Sequence, residues 1–252
     1  MITVILRSMM ITSIRDKISL FYALVFPLII MVVLASFFDK NHANVTILTS
    51  VTAIGTMFWG MQGIAFQVFS QKNKGVYQLL KLTPVSPIIF ISIMILARTA
   101  IGVVLNMGIW IIGMIYFKLD FSYQSILLPV PIIIIATLCF TAFGFVIGHL
   151  AKNEGQVNML ANFIQLPLLF LSEAFYSLQQ APEWIQAIAK ILPFGYFTEG
   201  LKGAVTAGQE EVLLGMLVPF IYMLFALLMA VFTFKRGINF GNQSFLKKKT
   251  AG

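Results

Sequence analysis

The chain predicts an all-α integral membrane fold, with six transmembrane helices in a single domain spanning residues 1–252. Three observations carry this reading. The first is apolar length. A bilayer core of ~30 Å needs ~20 apolar residues in helix, and runs of that order lie at Ile18–Phe38, Val45–Phe69, Ile126–Leu150 and Val212–Phe234. A longer run, Ile88–Phe117, holds a single charge, Arg98, and a shorter one, Val157–Ser172, closes on Glu173. The second is composition. Charged residues are 10% of the chain and hydrophobic ones 59%, against ~25% charged in a soluble domain. A soluble core of six apolar helices would have too little polar sequence to cover it. The third is where the charge sits. With the N-terminus inside, the inner segments hold Arg7, Arg15, Lys17, Lys72, Lys74, Lys81, Lys152, Lys235, Arg236 and Lys247–Lys249, while the outer ones hold only Lys40, Lys118, Lys190 and Lys202. The positive-inside rule then puts both termini in the cytoplasm. The net charge of +8 reads as topology and contact with anionic lipid, not as a nucleic-acid surface.

Along the chain, residues 1–17 repeat Ile2, Ile5, Leu6, Met9 and Met10 at spacings of three and four, with Thr3, Arg7, Thr12 and Arg15 elsewhere on the wheel. That is the pattern of a helix lying in the membrane interface; a charged flank that only anchors topology fits it too. The run that follows exceeds the ~7–15 residues of a signal h-region, so it is expected to stay as the first span. It carries Pro27, and a short outer loop from Asp39 to Asn44 leads into the second span. The third and fourth spans form a hairpin through Lys118–Gln124, and Lys152–Gly155 makes a tight inner turn before the fifth.

The inner segment from Gln71 to Pro87 contains Gly75, Val76, Tyr77, Leu79, Leu80, Lys81, Thr83 and Pro84. Val76, Leu79 and Leu80 give a short apolar face at helical spacing, and Pro84 disfavours helix at the residue before it. Docking onto a cytoplasmic partner suits a short amphipathic helix rimmed by lysine; so does a turn helix that touches only lipid. On the fifth span Asn158, Asn162 and Gln165 recur at i, i+4 and i+7. Three amides facing lipid would be costly, so the stripe faces protein or a water-filled path. Gly144 and Gly148 form a small-x-x-x-small motif suited to packing within the chain. Arg98 costs ~3 kcal/mol at a helix centre, which its apolar span outweighs. Snorkelling to headgroups or pairing with a carbonyl is its expected role, with binding of an anionic substrate the alternative.

Residues 173–211 form a long, broken outer region. Pro182, Pro193 and Gly195 divide it, and Trp184, Phe194, Tyr196 and Phe197 suit a membrane interface. Half-helices entering the outer leaflet need protein or water to satisfy their backbone; a plain outer loop with an aromatic belt is the other reading. Glu173, Glu183 and Glu199 lie at this rim.

Catalysis is mostly excluded. His42 and His149 fall on opposite sides of the membrane, Cys139 is the sole cysteine, and no span holds paired carboxylates. Neither a metal site nor an intramembrane dyad follows. Glycine is never followed by lysine, so the chain has no P-loop for ATP.

Taken together, Arg15-Asp16-Lys17, Phe26-Pro27, Gly75 with Thr83-Pro84-Val85-Ser86, and the run from Ala181 through Pro193-Phe194-Gly195-Tyr196 to Glu199-Gly200-Leu201-Lys202 resemble the membrane subunits of ABC-2 type transporters, the family of daunorubicin-resistance-like drug permeases and polysaccharide exporters. The resemblance covers essentially the whole chain. It implies an N-terminal interfacial helix with Arg7, Arg15 and Lys17, and a coupling loop at residues 71–87. It also implies outer re-entrant half-helices with Trp184, Pro193, Tyr196 and Glu199. The implied function is the permease subunit of an ATP-driven exporter for an amphiphile such as an antibiotic, peptide or lipid-linked molecule, in a cell membrane and of bacterial type. The partners implied are two cytoplasmic ATPase subunits, which carry ATP and Mg, and a second copy or sister permease. Asn158, Asn162, Gln165, Glu173 and Arg98 are the pathway candidates. An ATP-independent carrier is the rival, and an intramembrane enzyme a more distant one.

Topology is directly testable. Single cysteines at Asn44 and Ser122, in a background lacking Cys139, are expected to react with an impermeant thiol reagent added outside intact cells. Cysteines at Asn73 and Asn153 are expected to stay unlabelled; the opposite pattern would remove the inner-termini topology.

Overall fold

The computed structural model describes residues 2–37, 44–76, 79, 86–172 and 181–249; at residues 2, 4, 18, 87 and 234–249 it describes the backbone alone. Every described element is helical. In chain order they are α1 (Ile2–Arg15), α2 (Lys17–Leu20), α3 (Phe26–Phe37), α4 (Asn44–Met57), α5 (Ile64–Asn73), α6 (Pro87–Phe117), α7 (Tyr123–Leu127), α8 (Pro129–Leu150), α9 (Glu154–Phe170), α10 (Glu183–Ala189), α11 (Pro193–Thr206) and α12 (Gln209–Lys249). Two π turns interrupt the first two spans, Phe21–Val25 between α2 and α3 and Phe58–Gly63 between α4 and α5.

Each apolar run of the sequence is helix. Among the described residues, three stretches are long and apolar enough to cross a membrane by length and composition: Ile88–Phe117, Tyr123–Leu150 and Gln209–Thr233. The first span reaches its length only through α2, the π turn and α3 together, and the second through α4, its π turn and α5. Pro27 accounts for the first interruption. It has no N–H and its ring crowds the carbonyl four residues back, and the chain answers with a wider turn in which Phe26 N–H reaches the Phe21 carbonyl. The last helix outruns its apolar stretch: its 41 residues make it about 60 Å long, roughly twice a hydrocarbon core.

α8 is the hub, packed against α12, α6, α5 and the second π turn. Its Gly144 and Gly148 let the second span approach to backbone contact. A Cβ on Gly144 would overlap the Met61 carbonyl oxygen, and one on Gly148 the Ala65 carbonyl oxygen. The small-x-x-x-small motif is therefore an intramolecular seam, matched residue for residue by Met61 and Ala65 at the same spacing. On its other side α8 meets Ala226 and Ala230 of α12, again small residues one turn apart. Membrane helices gain little from apolar burial against each other, so close packing of small residues decides which pairs associate.

α11 is no surface loop. Phe194, Phe197 and Leu201 are fully buried in the main core, with the rings of Phe194 and Phe197 centred 6.3 and 6.2 Å from Phe140 of α8. At 14 residues it is about 21 Å long, too short to cross a bilayer core alone. It returns through Ala207, in the left-handed region at φ 59°, and lies against α12 where a Cβ on Gly200 would stand 2.7 Å from the Gly215 Cα.

The glycine seam sets a clear expectation. Gly144→Ala and Gly148→Ala force a methyl into a neighbouring backbone carbonyl, and overpacking of this kind costs ~1–3 kcal/mol or more. Gly108→Ala meets nothing within 4 Å and gains helix propensity, by up to ~1 kcal/mol. Melting of the detergent-extracted protein, followed by size-exclusion chromatography after heating, should rank G108A at or above the parent and both seam variants well below it.

Candidate functional site

The second and third spans meet along a ladder of large residues opposite small ones. Gly55, Trp59 and Gly63 follow one face of the second span at spacings of four, and Asn106, Gly102 and Arg98 run antiparallel along α6. A Cβ on Gly55 would stand 2.9 Å from Asn106 Oδ1, one on Gly102 would stand 2.5 Å from the Trp59 indole, and one on Gly63 would overlap the Arg98 guanidinium. Each bulky side chain thus enters a gap that only glycine leaves open.

At the end of this ladder nearest α1, Arg98 has no exposed surface. Its guanidinium carbon lies 3.8 Å from the centroid of the Trp59 ring. Nε and Nη2 each donate to the Trp59 carbonyl at 3.4 Å, and Trp59 Nε1 donates back to the Arg98 carbonyl at 2.9 Å. Trp59 lies in the π turn, where the regular i→i−4 ladder is broken. Nη1 faces Asp16, with 3.8 Å to its Oδ2. Pairing with a carbonyl, one of the two expected roles, is what the structure shows; snorkelling to headgroups is corrected, because the guanidinium is enclosed by the second span and the Asp16 junction.

Asp16 entered the sequence reading only within Arg15-Asp16-Lys17, with no role of its own. It occupies the break between α1 and α2, where its Oδ1 accepts from the Ser19 backbone N–H at 3.1 Å and its Oδ2 is hydrogen-bonded by the Ser19 hydroxyl. A carboxylate here caps the start of the first span. The available signal was that Asp16 is the only acidic residue before Asp39, at the inner edge of a span that must pack near a buried cation.

α1 packs on α6, not only on lipid. Met9 is buried, with Ile5, Leu6 and Met10 half-buried beside Phe90, Ile91 and Met94. Gln71 Nε2 lies 3.4 Å and Gln67 Nε2 3.7 Å from the Met9 sulfur. The apolar face read from the periodicity is real, but protein covers it. Arg7, Arg15 and Lys17 are exposed on the other side.

The amide stripe divides. Gln165 is 1% exposed, and neither of its amide atoms has a hydrogen-bond partner. Asn158 and Asn162 are exposed, and Asn158 Oδ1 accepts from Gln62 Nε2 at 3.1 Å. Gln62, another residue the sequence reading passed over, belongs to the same π turn as Trp59. At the end of α5, Lys72 Nζ donates to the carbonyls of His149 and Ala151 at 2.7 and 3.1 Å, capping the C-terminal end of α8 where a cation is favoured.

Of the coupling-loop residues, Gly75 has φ 72°, a left-handed conformation that closes α5 and suits glycine. Val76 packs on the α1–α6 cluster, and Leu79, whose N–H bonds the Gly75 carbonyl at 3.2 Å, is 62% exposed. Tyr77, Leu80, Lys81, Thr83 and Pro84 lie outside the described residues, as do Glu173 and the outer loop with His42. In the outer region Trp184 is 65% exposed, Pro193 is buried at the first turn of α11, and Tyr196 donates its hydroxyl to the Lys190 carbonyl at 2.8 Å. Glu199 is exposed on α11. Among the described residues no cluster of three or more His, Cys, Asp or Glu side chains could hold a metal.

Gln165 and Asn158 differ in a way stability can read. Leu at Gln165 removes a buried amide that has no partner, so Gln165→Leu should raise or preserve the thermal midpoint, by the equivalent of ~1–3 kcal/mol at most. Asn158→Leu gives up the bond to Gln62, worth ~0.6 kcal/mol between membrane helices, and should lower it slightly. The heated-detergent chromatography assay distinguishes these outcomes.

The chain is 23% identical over 178 residues to the inner membrane transport permease YadH of Escherichia coli (strain K12), which covers 69% of each protein. It is 22% identical over 171 residues to YvfS of Bacillus subtilis (strain 168), covering 68% of this chain and 69% of that one. A shorter similarity, 30% over 86 residues, links it to nodulation protein J of Rhizobium leguminosarum bv. viciae, covering 34% of this chain and 33% of that protein. The ABC-2 type transporter profile matches residues 1–206: the chain is a membrane protein of the ABC-2 type transporter family.

Proposed function

We propose that this chain is the membrane subunit of an ATP-driven exporter, crossing the bilayer six times with both termini in the cytoplasm. It would work as a pair of permeases with two cytoplasmic ATPase subunits. The observation that carries the reading beyond family membership is the polar seam between the second and fifth spans. Gln62, Asn158, Asn162 and Gln165 gather four amides where the second and fifth spans meet. Amides at membrane depth mark routes for solutes, and the exposed edge of this seam faces away from the chain's own core. An apolar wall interrupted by amides suits an amphiphile, which presents a greasy body and a few hydrogen-bonding groups.

Power would enter through residues 71–87. Val76 is tied to the bundle while Leu79 is exposed beyond the end of α5, an arrangement that suits a docking helix. Burying Leu79 and Leu80 against an ATPase contributes ~1.5–3 kcal/mol each at most. Leu79→Asp with Leu80→Asp adds charge and desolvation cost at that contact but sits comfortably in water. The double variant should insert and elute like the parent yet lose both co-purification with its ATPase and stimulation of ATP hydrolysis. Retained association and activity would remove this segment from the docking surface; poor insertion would mark it as a lipid-facing turn helix.

A further inference from the structure

The Phe58–Gly63 π turn carries two polar connections on different sides. Trp59 and Gly63 receive Arg98, which reaches Asp16 at the junction of α1 with the first span. Gln62, in the same turn, bonds Asn158 of the fifth span. Phe58, its first residue, stacks on Tyr22 within the other π turn, with ring centroids 6.3 Å apart, and meets Phe26 just after that turn at 6.1 Å. One six-residue turn therefore joins the α1 hinge, the first span and the amide seam.

We propose that Arg98 and Asp16 are positioning residues of the transport cycle: they tie the α1 hinge to the second-span π turn, so displacement of α1 reaches the Gln62–Asn158 seam. This rests on the exporter reading for its meaning in the cycle, but the mechanical link stands on contacts within one chain. Coupling needs an element with two arrangements. A π turn supplies one, because it relaxes to α-helix by passing its extra residue along the helix, and such turns concentrate at functional positions. The Asp16–Arg98 contact is also breakable. At 3.8 Å it is an ion pair without a hydrogen bond, Nη1 having no hydrogen-bond partner, and the Asp16 side chain is 30% exposed. Water can therefore replace Arg98 on the carboxylate, while the Trp59 carbonyl and ring keep the guanidinium seated.

A purely structural ion pair and a positioning one respond differently to replacement. Asp16→Asn keeps an N-cap for Ser19 and removes the charge. Asp16→Asn with Arg98→Met removes both charges and leaves an apolar chain against Trp59, an exchange that is often neutral for stability. Nitroxides at Arg7 on α1 and Asn153 on the α8–α9 turn, both exposed, in nanodisc-embedded protein lacking Cys139, report the hinge by pulsed dipolar spectroscopy. The parent should give one narrow distance distribution. D16N and the double variant should each elute as the parent does but show a shifted or second population. Asp16→Glu, which restores the charge, should return to the single distance. Distributions that superimpose on the parent in both uncharged variants would overturn the proposal; if one of the two fails to fold, the other decides. Co-purification of an ATPase with the parent is read separately. Its absence would remove the exporter reading and leave the hinge result standing.

Discussion

A guanidinium with no exposed surface inside a membrane helix is the constraint around which the inner half of this protein is built. Removing a buried charge's partners leaves several kcal/mol uncompensated, so Arg98 dictates its surroundings. The second span gives it a glycine gap at Gly63, an indole face and the Trp59 carbonyl; the chain before the first span gives it Asp16. Satisfying one cation thus fixes where the second span crosses the third and where α1 ends. The Trp59 bond to the Arg98 carbonyl makes the first of these contacts reciprocal, so neither helix can slide along the other without losing both.

The helices themselves were legible because hydropathy is local. Each apolar run became helix, α1 showed its apolar face in the spacing of Ile5, Leu6 and Met9, and Gly144 with Gly148 announced a close seam. What periodicity cannot carry is the identity of the partner. Nothing in α1 alone says that α6 rather than lipid covers Met9, and Asp16 and Arg98 stand 82 positions apart. The π turns were hidden for a related reason. Pro27 hints at the first, but Phe58–Gly63 contains no proline, and its irregularity is coupled to a contact made by another span. In hindsight the four-residue ladders Gly55-Trp59-Gly63 and Arg98-Gly102-Asn106 were readable, since large residues face glycine only when the two are read in opposite directions. The split of the amide stripe was not readable at all: Asn158 and Gln165 share a face by spacing, and the neighbours decide which is buried.

Two kinds of contact hold the helices together, and they are not spread evenly. The second, fourth and last spans, with α11, meet through glycine and alanine at backbone distance, around a core of Phe140, Phe194 and Phe197. Contacts of that kind are specific in shape and cannot be remade one turn along, since the next residue carries a side chain. The α1 junction and the fifth span are joined to this block by side-chain polar contacts as well: Asp16 to Arg98, Gln62 to Asn158, and the amides of Gln67 and Gln71 on the Met9 sulfur. A single polar bond between membrane helices is worth ~0.6 kcal/mol, a value near thermal energy. The same helices leave broad apolar faces uncovered, with Ile29, Val32 and Val33 on the first span and Met159, Phe163 and Leu166 on the fifth.

That division bears on how a membrane protein can be both held together and able to change shape. Lipid tails are as apolar as the helices, so no hydrophobic force presses the first and fifth spans onto the block. Rigidity has to come from shape, and it does, at Gly144, Gly148, Gly200 and Gly215, where the fit tolerates no sliding. Elements attached through weak polar bonds can exchange those partners for water, lipid headgroups or another chain at little cost, provided that no charge is stranded. Arg98 meets that condition only in part, since Asp16 is its one counter-charge among the described residues and losing it costs more than a neutral polar bond. The Trp59 carbonyl and ring stay with it when Asp16 leaves, because they belong to the helix it is locked against. The carboxylate, already partly exposed, is the partner that water can reach, which places the exchangeable contact of this cluster at the base of α1.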